Sequence, residues 1–209
     1  MLVKLEKLLI FDFDGVVVDS LDLYEGTVRQ CLEEIGQPIV RNREDFLELF
    51  EDNFYESLVK KGVDLHAFME ASADILARAN FDEMKPFYNL IPVLEKLQTN
   101  NILLIISSSG SQDIHSILAS FNLSGFFRDV LGSDANLSKK EKILRALNKY
   151  PISREQTYYI GDTTGDIKEA KSTGIKTIAV TWGWHTREKL AHAHPDYFID
   201  SPDELLKIR

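Results

Sequence analysis

The chain has 209 residues, 44% hydrophobic and 27% charged, the composition of a soluble globular protein with room for one catalytic domain and a small accessory one. Its net charge of −9 argues against a general nucleic-acid surface, which needs a basic face, so an anionic ligand has to be met by local charges and a metal. Cys31 is the only cysteine, which excludes an internal disulfide, and Lys4, Glu6 and Lys7 interrupt the apolar N-terminus with no run of membrane-spanning length, so a cytoplasmic protein without a membrane partner is expected.

Leu8-Leu9-Ile10-Phe11 reads as a strand buried on both faces, running into Asp12-Phe13-Asp14-Gly15. Asp12 and Asp14 are two apart, so extended geometry carried to the strand end points both to one side, and Gly15 permits a turn. Two carboxylates that close oppose each other's ionisation unless a cation holds them. The pair therefore suggests a magnesium site, one carboxyl kept protonated, or both at once. One acid could then be a metal-bound nucleophile and its neighbour a proton carrier. A solvated turn explains the same four residues when they are taken alone.

Leu21 to Ile35 follows as a helix, with Asp19 or Ser20 able to cap it and Gly36 at its end. Amphipathic segments around Glu44 to Lys60 and Leu65 to Asn80 show no strand alternation and read as a helical insert. Arg41, Asn42 and Arg43 lie in the polar link between its first helices. They are candidates for contacting the non-reacting end of a ligand, or simply solvated. Met84-Lys85-Pro86 marks an extended connection, and Pro92 begins a helix with Val93, Leu94 and Leu97 on its apolar face. Ile102 to Ile106 is a second doubly buried strand, ending in Ser107-Ser108-Ser109-Gly110 before a helix carrying Ile114, Ile117, Leu118 and Phe121. Hydroxyls at the mouth of a helix N-terminus make a phosphate cradle, although serines there also serve as plain caps.

Ser138 and Glu141 form a capping box for a helix with Ile143, Leu144 and Leu147 inward and Pro151 at its stop. Lys139 and Lys140 fall in its first turn, where a cation opposes the helix dipole at roughly a few tenths of a kcal/mol. Tyr158 to Ile160 is a short strand ending in Gly161-Asp162-Thr163-Thr164-Gly165-Asp166, whose two acids lie one helical turn apart and can face one cation. Ile175 to Val180 and Tyr197 to Ile199 complete an alternating strand-helix order, the last as an edge strand. His185, alone after a strand, is assigned a structural or rim position and no catalytic role.

Phe11 to Ser20, the strand ending at Ser107, the lysine at the start of its helix and Gly161-Asp162-x-x-x-Asp166 together resemble the motifs of the haloacid dehalogenase-like superfamily in its phosphatase form. The resemblance covers nearly the whole chain. The helical insert resembles the small cap of its phosphoglycolate phosphatase and β-phosphoglucomutase branch. Val16 replaces the more usual Thr, and the lysine lacks its usual proline; counting back four from Ile143 gives Lys139, with Lys140 the alternative.

The resemblance implies an α/β fold: a Rossmann-like open parallel sheet over 1–18 and 84–209, with a helical cap over 19–83. It implies Asp12 as nucleophile, Asp14 as general acid and base, and Ser107, Ser108 and Lys139 around the phosphate. Mg2+ would be held by Asp12, the backbone carbonyl of Asp14, Asp162 and Asp166. The expected function is hydrolysis of a small phosphomonoester metabolite through an aspartyl phosphate. A phosphosugar mutase and a non-catalytic phospholigand-binding protein are the alternatives. Asp14 disfavours a dehalogenase or a phosphonatase, and a receiver domain would be shorter and lack the insert.

Overall fold

A computed structural model describes residues 6–208 of the chain; Lys4 and the outermost ends of the expected core, residues 1–5 and 209, lie outside them. In chain order, strand β1 (Leu8–Phe11) passes through a buried turn to β2 (Val18–Asp19), and four helices follow: α1 (Leu21–Glu34), α2 (Arg43–Glu48), α3 (Phe54–Lys60) and α4 (Leu65–Leu76). Strand β3 (Lys85–Pro86) returns antiparallel to β2, so a two-stranded ribbon stands where the helical insert leaves and rejoins the rest. Then come α5 (Ile91–Leu97), β4 (Ile102–Ile106), α6 (Ser111–Ser120), β5 (Asp129–Leu131), α7 (Lys139–Lys149), β6 (Thr157–Gly161), α8 (Thr164–Lys171), β7 (Lys176–Val180), α9 (Arg187–Ala191) and β8 (Tyr197–Ile199).

Six strands form one parallel sheet in the order β5-β4-β1-β6-β7-β8. The chain builds outward from β1 to one edge and then restarts at β6 on the other side, so β1 sits where the strand order reverses. Ligands of such sheets bind there, outside the carboxyl ends of the strands. Register brings those ends level: Phe11 pairs with Ile105 of β4 and with Ile160 of β6.

Both faces of the sheet are covered, which is why its central strands are unbroken apolar runs. Leu9, Phe11, Leu103, Ile105 and Ile160 pack on one side against Val93, Leu94, Ile114 and Leu118 of α5 and α6. Leu8, Ile10, Leu104 and Tyr159 pack on the other against Ile143 and Ala146 of α7. A separate cluster fills the insert, including Val28, Leu32, Phe46, Leu58, Phe68 and Ile75. Among the described residues no helix is long and apolar enough to cross a membrane.

Several expectations are corrected in detail. The segment from Glu44 to Lys60 is two helices, because Asn53 turns the chain and caps α3 by accepting from the N–H groups of Tyr55 and Glu56. α4 stops at Leu76, short of Asn80. Ser20 occupies the cap position of α1 without a side-chain capping bond. In α7 the inward positions are Lys142, Ile143 and Ala146, with Leu144 only half-buried.

Candidate active site

Asp12 follows the last residue of β1, and its N–H donates to the Ile160 carbonyl at 2.8 Å, which ties the first acid to β6. Its Oδ1 accepts from Phe13 N–H at 2.9 Å and its Oδ2 from Lys139 Nζ at 2.9 Å. The Ser138 capping box fixes the start of α7, so Lys139 leaves the first turn toward the sheet and also donates to Asp166, whereas Lys140 is exposed. Asp166 sits in the capping box of α8, accepting from Thr163 Oγ1 at 2.7 Å. Asp162 Oδ2 accepts from Trp184 N–H at 2.7 Å, and Asp162 Oδ1 has no partner. Gly15, at φ +74°, must be glycine on both counts: its backbone is left-handed and an added Cβ would lie 2.1 Å from Asp162 Oδ2.

Asp12, Asp162 and Asp166 each bring one carboxylate oxygen within 4.8 Å of the others, all three residues being buried. Burial, then the charge of Asp166, push the Asp12 carboxyl up to about 8 against the pull of Lys139. Burial and the two neighbouring acids raise Asp162 well above the carboxylate range. Burial opposes ionisation of Asp166 as well, but the Lys139 ammonium and the hydrogen bonds from Lys139 and Thr163 hold it below its ordinary value. Lys139 itself is kept charged by Asp12 and Asp166 despite burial. With one ammonium among three buried carboxyls, Asp166 keeps its charge while Asp12 and Asp162 are pushed toward the protonated form, so both could ionise together only against a further cation. An all-oxygen donor set with an orphaned Asp162 Oδ1 therefore fits a hard divalent cation.

The raised carboxyls give a pH prediction. In their protonated form they favour the folded state below the unfolded value of 3.8, and that contribution fades as pH rises toward about 8. Asp166 acts in the opposite sense, but only in acid; the buried His185, whose pKa is lowered, also acts in the opposite sense within the window, one group against the two raised carboxyls. In chelator the melting temperature should therefore fall between pH 5 and pH 8, because a carboxyl that titrates one pH unit higher in the folded chain than in the unfolded one changes stability by about 1.4 kcal/mol across its titration. Magnesium should raise it more at pH 8 than at pH 5, because binding must expel those protons. Equal magnesium effects at the two pH values would show that the three acids do not share a cation.

Asp14 lies apart from this triad. Its Oδ2 accepts from Ser109 Oγ at 2.6 Å and, at 3.4 Å, from Ser107 Oγ, while its Oδ1 is buried without a partner. Burial raises its carboxyl, with Ser109 the leading opposing influence. Ser107 Oγ also accepts from Ser109 N–H at 3.0 Å, so the two serines hold the turn after β4. Ser108 contributes differently, its carbonyl accepting from the Tyr55 hydroxyl of the insert at 3.4 Å.

Two participants are missing from the sequence expectations. Ser109 stands in the sequence only as one of a serine run, although Tyr24 of α1 bonds its hydroxyl at 2.8 Å. Lys142 is buried beneath the same turn and donates to the Ser107 carbonyl at 2.7 Å; burial, with the Lys139 charge, brings its pKa down to about 8. Its signal is present in the sequence, since Lys142 lies three residues after Lys139 and on the face of Ile143 and Ala146.

A family profile for haloacid dehalogenase-like hydrolases matches residues 9–180. The chain belongs to the haloacid dehalogenase-like hydrolases. Phosphoglycolate phosphatase of Vibrio cholerae is 27% identical, with 97% of this chain and 96% of that protein aligned. Phosphoglycolate phosphatase of Synechococcus elongatus is 26% identical over 95% of each. The fold is shared with a haloacid dehalogenase-like family hydrolase of Streptococcus pneumoniae (TM-score 0.82, 24% identity, covering 96% of this chain and 97% of that one). A haloacid dehalogenase-like protein of Agrobacterium tumefaciens also shares it (TM-score 0.72, 21% identity, 96% of each).

In this dehalogenase-like chain the insert lies over the acids and encloses a cavity of about 260 Å³ that reaches Asp12, Asp14 and Lys139. The end of α2 and the loop after it, residues 47–53, seal the seam. Gly165 N–H donates to the Phe50 carbonyl at 3.0 Å, and Lys168 Nζ to the Glu51 carbonyl at 2.8 Å and to Asp52 at 2.7 Å. His185 bridges core and insert: Nδ1 accepts from Thr164 N–H at 3.1 Å, which leaves Nε2 to donate to the Leu47 carbonyl at 3.0 Å. Burial lowers its pKa, consistent with a neutral ring. Arg41, Asn42 and Arg43 do not line the cavity. Arg43 pairs with Asp22 and Glu25, Arg41 with Asp45, and Asn42 caps α2.

Proposed function

We propose that the chain is a magnesium-dependent phosphatase that hydrolyses a small phosphomonoester through a phosphoryl group carried on Asp12. The single observation that carries this reading is Asp12 itself, a buried carboxylate on the floor of the cavity held by Lys139, with Asp14 beside it. Asp12 attacks phosphorus and Lys139 neutralises the phosphoryl oxygens. Ser107 and the backbone of the turn through Ser108 orient them at the mouth of α6. Asp14, raised by burial, begins protonated and gives its proton to the leaving oxygen. It then takes a proton from the water that hydrolyses the aspartyl phosphate. Asp12, Asp162, Asp166 and the Asp14 carbonyl would hold magnesium, which supplies further neutralisation of the transferring group. The names of the relatives support a small phosphorylated metabolite as substrate, and the unpaired Cys31 suits a reducing, cytoplasmic setting.

The test is release of inorganic phosphate from p-nitrophenyl phosphate by the purified chain. Turnover should require magnesium, vanish in EDTA and return when magnesium is restored. No turnover at saturating magnesium, or turnover indifferent to EDTA, would overturn the reading.

The sealed seam gives a second expectation. A Cβ on Gly165 would lie 2.3 Å from the Asp52 carbonyl and 2.9 Å from that of Phe50, so Gly165→Ala must push loop 50–52 off the core. With the insert displaced, kcat/KM should drop on the order of 10²-fold, as misplacement by an ångström can cost that much. An unchanged kcat/KM would show that closure of the insert is not needed for turnover.

A further inference from the structure

Much of the cavity lining contributed by the insert is aromatic. Phe50 stacks on Phe54 with centroids 4.9 Å apart, Phe54 meets Phe68 at 5.9 Å, and Phe50 and Trp184 meet edge to face at 4.8 Å. Leu76 and Met69 extend it, and Met69, 43% exposed, lies at the mouth. Among the described residues that line the cavity Lys139 is the only cation, and it is committed to Asp12 and Asp166. None of the described lysines and arginines of the insert lines the cavity. Arg29 and Arg43 pair with Glu25, Arg41 with Asp45, Lys60 with Asp52 and Lys61 with Glu48, and Arg78 donates to the Asp74 carbonyl. Asp113 adds a further acid to the lining.

A carboxylate on the leaving group would lose water against this lining and find no unpaired cation in it, with Asp113 a further acid there, which is a costly way to bury a charge. An apolar ring would gain contact area and edge-to-face partners there. Space is not limiting, since a dry cavity of roughly 150 Å³ already takes benzene. We infer that the leaving group of the substrate is an uncharged apolar alcohol, of aryl or aralkyl kind, and not the carboxylated alcohol named for the relatives; this rests on the phosphatase reading above. In the step concerned, the bond from phosphorus to the aralkyl oxygen breaks as the bond to Asp12 forms. The leaving oxygen takes the Asp14 proton, and water then replaces Asp12 on phosphorus.

Benzyl phosphate and 2-phosphoglycolate differ only in a phenyl ring against a carboxylate on the same carbon. With magnesium present, kcat/KM for benzyl phosphate should exceed that for 2-phosphoglycolate at least tenfold, and equal or inverted values would overturn the inference. Met69→Arg, which adds a cation at an exposed position of the mouth, should narrow the ratio several-fold, mainly through a lower KM for 2-phosphoglycolate. A ratio that does not move would remove the missing cation as its cause. Binding of two non-hydrolysable probes, followed by tryptophan fluorescence, separates this inference from the catalytic one. If neither ester turns over but 2-phenylethylphosphonate binds more tightly than 3-phosphonopropionate, the catalytic reading fails and the ligand class is supported. The opposite order of binding would overturn the inference whatever the activity.

Discussion

Asp12→Asn is expected to reduce phosphate release by roughly 10⁴-fold or more, the scale on which removal of a nucleophile is felt, while the protein stays folded. An amide is a poor nucleophile and a weak ligand for a hard cation, so both proposed tasks of Asp12 are lost together. Its folding contribution behaves otherwise. Phe13 N–H and Lys139 both donate to the carboxylate, and an amide oxygen can serve only one of them, a loss of about 1 kcal/mol. Against this, the substitution removes a carboxyl that burial and Asp166 hold near 8, and Lys139 keeps Asp166 as its partner. The melting temperature in chelator should therefore stay within about 4 °C of the parent, the size of change that 1 kcal/mol brings at most in a chain of 209 residues. The gain on adding magnesium should shrink. Near-parent phosphate release, with contamination excluded, would remove Asp12 from the mechanism. A large loss of stability would make it a structural residue first.

The three central strands were readable because a strand covered on both faces has to be an apolar run, and each such run here stops at Asp12, Ser107 or Asp162. The helix starts were readable for a similar reason: Ser138 with Glu141 announces a first turn, and what stands in that turn is then fixed in direction. The rest was hidden for physical reasons. β5 is three half-buried residues, and β2 and β3 are two residues each, too short to show a period. The break between α2 and α3 exists because loop 50–52 must lie on Gly165, a contact more than a hundred residues away. Ser108 and Ser109 are alike in sequence, but only the side chain of Ser109 turns to Asp14. Arg41 to Arg43 stayed open between a ligand-facing link and a solvated one because nothing local shows that Asp22 and Glu25 wait for Arg43. Phe50, Phe54 and Phe68 pack with the core of the insert while also lining the cavity, a double role that helical spacing alone does not reveal.

Asp14→Asn should separate the two carboxyls of the opening strand through the leaving group. The variant keeps the backbone carbonyl proposed for magnesium, and its amide oxygen can still accept from Ser109, so the turn after β4 retains its tie. What it lacks is a proton to give and a base to receive one, at a carboxyl whose Oδ1 is buried and unshared. A leaving group as acidic as p-nitrophenol scarcely needs protonation, and attack by Asp12 should survive in part. Hydrolysis of the aspartyl phosphate still requires activation of water and should slow by roughly 10²–10⁴-fold, the usual worth of a positioned acid or base. Rapid mixing with p-nitrophenyl phosphate should then show a burst approaching one equivalent of p-nitrophenol and a slow steady rate. Intact-mass measurement after an acid quench should find the phosphoryl group on the protein. Benzyl phosphate, whose leaving oxygen must be protonated, should give almost no burst. Undiminished steady turnover of benzyl phosphate by this variant would mean that another residue moves the proton, and Asp14 would lose its role.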